Sequence, residues 1–278
     1  MTDTAALREV VIEAQASRWY AELLELPSYR AFLFILLWRD IKVRYKQSVF
    51  GIGWAVAQPV IMMVVFTVIF GAVAKVPSNG VPYPIFSYAG LLPWLLFQKS
   101  LTQGSTSLVT FKSELTKIYF PRIAAPLVAF MSAAVDFAVM FGVLLLMMVY
   151  FGVAPTWRIA LVPVFVVYAG LASLSVVLWL AAINVEYRDV QHVMPFLAQI
   201  WMFITPVVYP STLIPAKYRI FYWLNPMAVV VEGFRWSILG VAPVPTSAIV
   251  VSSTVIVVSM IGGLRYFNRV ARTMADRV

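Results

Sequence analysis

From Ile52 to Ala74 the chain runs through 23 consecutive residues without one charged side chain. As a helix, such a stretch reaches across the roughly 30 Å of hydrocarbon in a bilayer. No water is present there to bond backbone N–H and C=O groups, so only a helix or a closed barrel can cross. An unbroken apolar run, unlike the short alternating runs of barrel strands, selects the helix. The same signal recurs along the chain. Ile85–Leu101 carries Pro93 inside it and Lys99 near its inner end, and Ile123–Phe151 is interrupted only by Asp136. Ile159–Asn184, Val193–Tyr209 and Thr246–Leu264 carry no charge at all. The expected fold is therefore an all-α integral membrane protein with six transmembrane helices. The composition agrees, since only 12% of residues are charged, against about 25% in a soluble domain.

Around the spans, four regions are expected. Residues 1–28 are polar and of mixed charge, a cytoplasmic N-terminal tail. This region contains Asp3, Glu9, Glu13, Glu22 and Glu25 and lacks a continuous apolar core, so the first span is expected to act as its own insertion signal. Residues 29–47 read as an amphipathic helix at the headgroup level, apolar through Trp38 and basic from Arg39 to Lys46. Residues 48–265 form the six-helix domain, and 266–278 a cytoplasmic C-terminal tail. The stretch Pro210–Val241 is broken by Pro215 and Pro226 and carries Lys217, Arg219, Glu232 and Arg235. Its longest uncharged run, Ile220–Val231, is too short to cross, so a re-entrant pair of short helices is expected between spans five and six. With the N-terminus inside, sixteen of the 21 Lys and Arg residues fall on the cytoplasmic side and five outside. That bias places both termini in the cytoplasm.

The net charge of +9 flanks apolar segments instead of covering a polar domain, so no nucleic-acid partner is expected. No glycine is followed by lysine, which removes a phosphate-cradling P-loop. His192 is the single histidine and there is no cysteine, so no metal site and no catalytic residue is expected. Asp136 is the one ionisable group deep in a span. Intramembrane acids face a partner or a wet cavity, and a hydrogen bond to a neighbouring helix is the expected role. A proton-coupled carrier remains the remote alternative that would depend on it. The loop Gly104–Ala124 holds Phe111–Arg122, whose Tyr119 and Phe120 lie among charges. Such aromatics suit a docking element, or else an interfacial belt.

Several motifs resemble one family in order and spacing. They are Arg39-Asp40-Ile41-Lys42-Val43-Arg44-Tyr45-Lys46-Gln47-Ser48 followed by Gly51, Trp54 and Pro59; Ala89-Gly90-Leu91-Leu92-Pro93-Trp94; and Tyr119-Phe120-Pro121-Arg122. Asn184-Val185-Glu186-Tyr187-Arg188-Asp189-Val190, Thr205–Pro210, Leu224-Asn225-Pro226-Met227 and Glu232-Gly233-Phe234-Arg235 follow. The chain resembles type-2 ABC exporter permeases from about Arg39 to Gly240, and within them those exporting O-antigen and teichoic-acid polysaccharides. The resemblance implies a homodimer in the bacterial inner membrane, with two copies of a separate ATPase that hold ATP and Mg, so the chain itself needs no cofactor. It implies a lipid-linked polysaccharide as substrate, with a teichoic-acid or capsule polymer, or a small molecule, as the alternative. The ATPase-coupling residues would be Glu114, Leu115, Lys117, Tyr119, Phe120 and Arg122. The outer gate would comprise Tyr209, Pro210, Asn225, Pro226, Glu232 and Arg235. A sliding sugar chain needs rings to stack on and amides to bond. Phe196, Gln199 and Phe203 share one helix face, and Trp54 with Gln58 another, so these are the expected channel residues. Arg44 and Lys46 are expected to attract the carrier's pyrophosphate at the entrance, or ordinary anionic lipid.

Overall fold

The computed structural model describes residues 21–46, 51, 53–111 and 120–277, and these form helices and turns only. A short helical turn at Ala21–Glu25 and a 3-10 turn at Leu26–Tyr29 lead into α1, Arg30–Lys46. There follow α2 (Gly53–Phe66, continued by a π-helical turn Thr67–Val73), α3 (Tyr83–Thr110) and α4 (Ala124–Tyr150). A 3-10 turn, Trp157–Leu161, opens α5 (Val162–Glu186), and α6 (Val190–Ile204), α7 (Pro226–Leu239) and α8 (Thr246–Arg277) complete the chain.

Among the described residues, four segments are long and apolar enough to cross a membrane: Gly53–Val73, Ala124–Tyr150, Trp157–Glu186 and Thr246–Val270. Their outward residues are apolar, with Val68, Leu146, Val149, Val167 and Val258 all more than half exposed. Water would not tolerate so continuous an apolar surface. Three expected spans differ. The second, expected over Ile85–Leu101, runs as α3 from Tyr83 to Thr110 and is not among those four. The fifth ends as a helix at Ile204, because Pro206 supplies no N–H and the chain turns from Thr205. The sixth does not stop at Leu264 but continues as the same helix to Arg277.

α3 is the hub. It packs along α4 and α5, touches α2, α6 and α7 as well, and buries every residue from Ile85 to Trp94. That position explains its modest hydrophobicity, since it faces protein more than lipid. Lipid is as apolar as leucine, so close packing and hydrogen bonds hold such helices together. Ser173 donates to Ser100 at 2.7 Å, Tyr88 donates to the Met140 carbonyl at 3.2 Å, and Gly104 lets Val177 approach. α8 lies along α5, where Ser259 donates to the Ser175 carbonyl at 2.9 Å.

α1 docks on α4. Its inward stripe is Leu33, Leu36, Asp40 and Arg44, apolar for two turns and then charged. Phe34, Ile35 and Trp38 point outward and are each about 60% exposed. Polarity thus changes along the helix more than around it.

Candidate functional site

The charged half of α1 meets the spans at Asp136. This carboxylate is 3% exposed and lies 12 residues into α4, about 18 Å from its start. Arg44 Nη1 donates to it at 3.0 Å, and Lys99 Nζ from α3 and the Tyr45 hydroxyl donate to it as well. Arg44 Nη2 also donates to Asp40 at 2.8 Å and to Gln103 at 3.1 Å, and Ser132 donates to Asp40 at 2.5 Å. Burial and the neighbouring carboxylate raise the Tyr45 phenol above its ordinary range, so it stays a donor. Asp136 therefore does bond a neighbouring helix, as the sequence suggests, and in fact bonds two. Three donors offset the cost of burying one charge, each charge-assisted bond being worth about 1.5–3 kcal/mol.

Sequence reasoning missed Tyr45, Lys99 and Gln103 as partners, yet a signal was present. Lys99 precedes Phe111, where α3 gives way to the loop, by the same 12 residues that separate Ala124 from Asp136. Two antiparallel helices joined by that loop carry the opposite charges to equal depth. Arg44, expected with Lys46 to attract a carrier pyrophosphate or anionic lipid, bonds Asp40, Gln103 and Asp136, and Lys46 is exposed.

On its other side α1 touches both ends of the loop. The Phe32 and Phe120 rings are 4.8 Å apart, and the Arg39 guanidinium lies 5.1 Å from the Phe111 ring centre. Phe120 is buried and Arg122 half-buried; Glu114, Leu115, Lys117 and Tyr119 lie outside the described residues.

The residues expected at the outer gate come together around the end of α6. Asn225 caps α7, its Oδ1 accepting from Met227 N and from Trp201 Nε1 at 3.1 Å each, while its Nδ2 donates to Thr205 at 2.9 Å. Pro226 occupies the first helical position, where no N–H is needed. Ser211 N donates to Glu232 at 2.9 Å, next to Pro210, and the Tyr209 hydroxyl donates to the Phe203 and Ile204 carbonyls. Arg235 is the surprise. Expected as a charge of the re-entrant stretch on the outer side, it is 2% exposed. It donates to the carbonyls of Phe86 at 3.1 Å and Tyr209 at 3.4 Å, and to those of Pro206 and Val207. Its guanidinium also lies 3.7 Å from the centre of the Phe86 ring. Removing it from the outer set leaves the sign of the charge bias unchanged. Gly90 makes room for it, because a Cβ there would stand 2.3 Å from Arg235 Nη2.

The expected channel residues are accessible. Phe196 is 63% and Phe203 47% exposed, with Gln199 exposed between them on α6. Trp54 is 55% exposed on α2, and Gln58, one turn on, faces a cavity against α3 and α4.

Residues 31–239, from α1 through α7, match the model of the ABC-2 type transporter family. The chain belongs to this family. Among its relatives is the O-antigen export system permease protein RfbA of Myxococcus xanthus, 33% identical over 213 residues, which cover 76% of this chain and 81% of that one. The protein of the same name from Klebsiella pneumoniae is 27% identical over 73% of this chain and 78% of its own. The polysialic acid transport protein KpsM of Escherichia coli is 22% identical over 73% and 80%. The family match thus spans the segments that build the two charged junctions.

Proposed function

We propose that this chain is the membrane subunit of an exporter that moves a lipid-linked polysaccharide of the O-antigen type across the bacterial inner membrane. ATP hydrolysed on two copies of a separate ATPase drives it, and two copies of this chain form the pathway. The observation that carries the reading is the family likeness from α1 through α7, shared with permeases named for O-antigen export. The weaker likeness to a polysialic acid transporter keeps a capsule polymer as the second reading.

In this reading α2 to α6 and α8 are the six spans, with both termini in the cytoplasm. The segment Pro210–Leu239 is the re-entrant outer gate, braced by Asn225, Glu232 and Arg235. The loop Glu114–Arg122 docks in the ATPase. Because α1 touches Phe111 and Phe120, a push on that loop reaches α1 and passes through Arg44 to Asp136 on α4 and Lys99 on α3. The exposed Phe196–Gln199–Phe203 and Trp54–Gln58 faces supply rings and amides for sliding sugars. Lys46 remains a candidate for the carrier's phosphates.

The test is deletion of this chain in a strain that assembles the polymer. Undecorated cells that accumulate the lipid-linked glycan inside, restored by this chain together with its ATPase, are the expected result. Decorated cells lacking the chain, or ATP hydrolysis by the purified chain alone, would refute it.

A further inference from the structure

Between α2, α3 and α4 lies a cavity of about 260 Å³, lined by Gln58, Gln98, Lys99, Thr102 and Asp136 among apolar residues. Neither the Gln58 nor the Gln98 carboxamide bonds another described residue. An amide without a partner at membrane depth costs free energy unless water or a ligand meets it. The two charged groups in the lining, Lys99 and Asp136, already neutralise each other. The cavity therefore offers no surplus positive charge to an anion. What it offers is a set of amide and hydroxyl donors and acceptors interspersed with Leu95, Pro59 and Met140.

We infer that this cavity is a subsite for one neutral sugar ring, and hence a determinant of which glycan the chain accepts. Vicinal hydroxyls both donate and accept, so they match carboxamides and an ion-paired carboxylate. The C–H faces of a sugar ring match Leu95, Pro59 and Met140. The volume lies below the range typical of sites for drug-sized ligands, which suits a single ring and not a folded oligosaccharide. The cavity also adjoins the α1 junction. Asp136 lines it on one side and receives Arg44 on the other, so a sugar bonded to Asp136 is felt by α1. The inference rests on the export reading above and adds to it a location and a charge class.

The test uses the complete exporter in cells that make the polymer. A photo-crosslinking benzoylphenylalanine is placed at Leu95, and in parallel Gln58→Leu is combined with Gln98→Leu. After irradiation, an adduct that stains for carbohydrate is the expected product. The double leucine variant is expected to lower surface polysaccharide about tenfold, two hydrogen bonds being lost, while still co-purifying with its ATPase. The matching double asparagine variant, which keeps both amides, is expected to recover most export. An adduct containing lipid or carrier phosphate without sugar would overturn the subsite. So would normal export by the leucine variant. Either result, obtained where the unaltered chain exports polysaccharide, removes the subsite alone. Failure of the unaltered chain to export any polysaccharide removes the export reading itself.

Discussion

Asp136 and Arg235 are both buried charges, yet they are held in opposite ways. Asp136 is met by side chains: a guanidinium and a phenol from α1 and an ammonium from α3. Arg235 is met by backbone, four carbonyls and one ring face. Side chains on separate helices can part and exchange partners, and one cavity adjoins Asp136 while another adjoins its partner Arg44. Carbonyls fixed by a helix end cannot move without rebuilding the chain. The first arrangement suits a junction that loosens and reforms in each transport cycle. The second suits a staple that keeps the broken end of α6 in place.

Arg235→Met should break the staple and have the largest effect. It orphans several buried carbonyls and should cost about 3 kcal/mol or more, read as a lower unfolding temperature in detergent. Arg235→Lys should not rescue it, because an ammonium cannot spread over the same carbonyls while stacking on Phe86. Gly90→Ala should match it, since the new methyl takes the guanidinium's place. Asp136→Asn comes next, at about 2 kcal/mol, because Arg44 and Lys99 are left as excess buried charge. Adding Lys99→Met should recover part of that loss, a rescue for which the staple has no equivalent. If the staple and the junction respond alike, the distinction between them fails.

Phe120→Ala should remove one ring contact, worth about 1 kcal/mol beyond area. Its effect on transport should be larger, with ATP hydrolysis persisting in the complex while export falls. Phe196→Ala with Phe203→Ala should change stability by less than about 0.5 kcal/mol, as exposed positions do, and reduce surface polysaccharide strongly. Normal export in that double variant would take the α6 face out of the pathway.

Much of this architecture is legible in the sequence because hydrocarbon imposes a simple rule. A run such as Ile52–Ala74 has one way to satisfy its backbone, and the structure places a helix there from Gly53 to Val73. The break at Pro226 is equally plain, whereas Pro206 reads as lying inside the fifth span and the helix in fact ends before it, at Ile204. Charges are harder to read, since their meaning depends on partners far along the chain. Arg235 interrupts an apolar run and so reads as one more charge of the re-entrant outer gate. Nothing local announces that Phe86, 149 positions earlier, supplies one of its acceptors. Arg44 reads as a headgroup cation because its acid lies 92 residues away. Gln58 was recognisable as an odd amide in a span, but its companions Gln98 and Thr102 become visible only once α2 leans on α3.

The Lys99–Asp136 pair also bears on how the chain is made. Among the described residues α3 is not one of the helices apolar enough to cross unaided, and it brings Lys99 to the translocon before its partner Asp136 is available. Asp136 emerges 37 residues later, a delay of roughly 2–7 s at bacterial synthesis rates. During that interval α3 has no partner for its ammonium and little reason to leave the protein-lined channel for lipid. Insertion is then a paired event, with α3 retained until α4 arrives and the hairpin partitioning sideways as one neutral unit. The ion pair thereby bears on the order of biogenesis: α1, synthesised first, can settle only after α3 and α4, because its dock does not exist until that hairpin has entered.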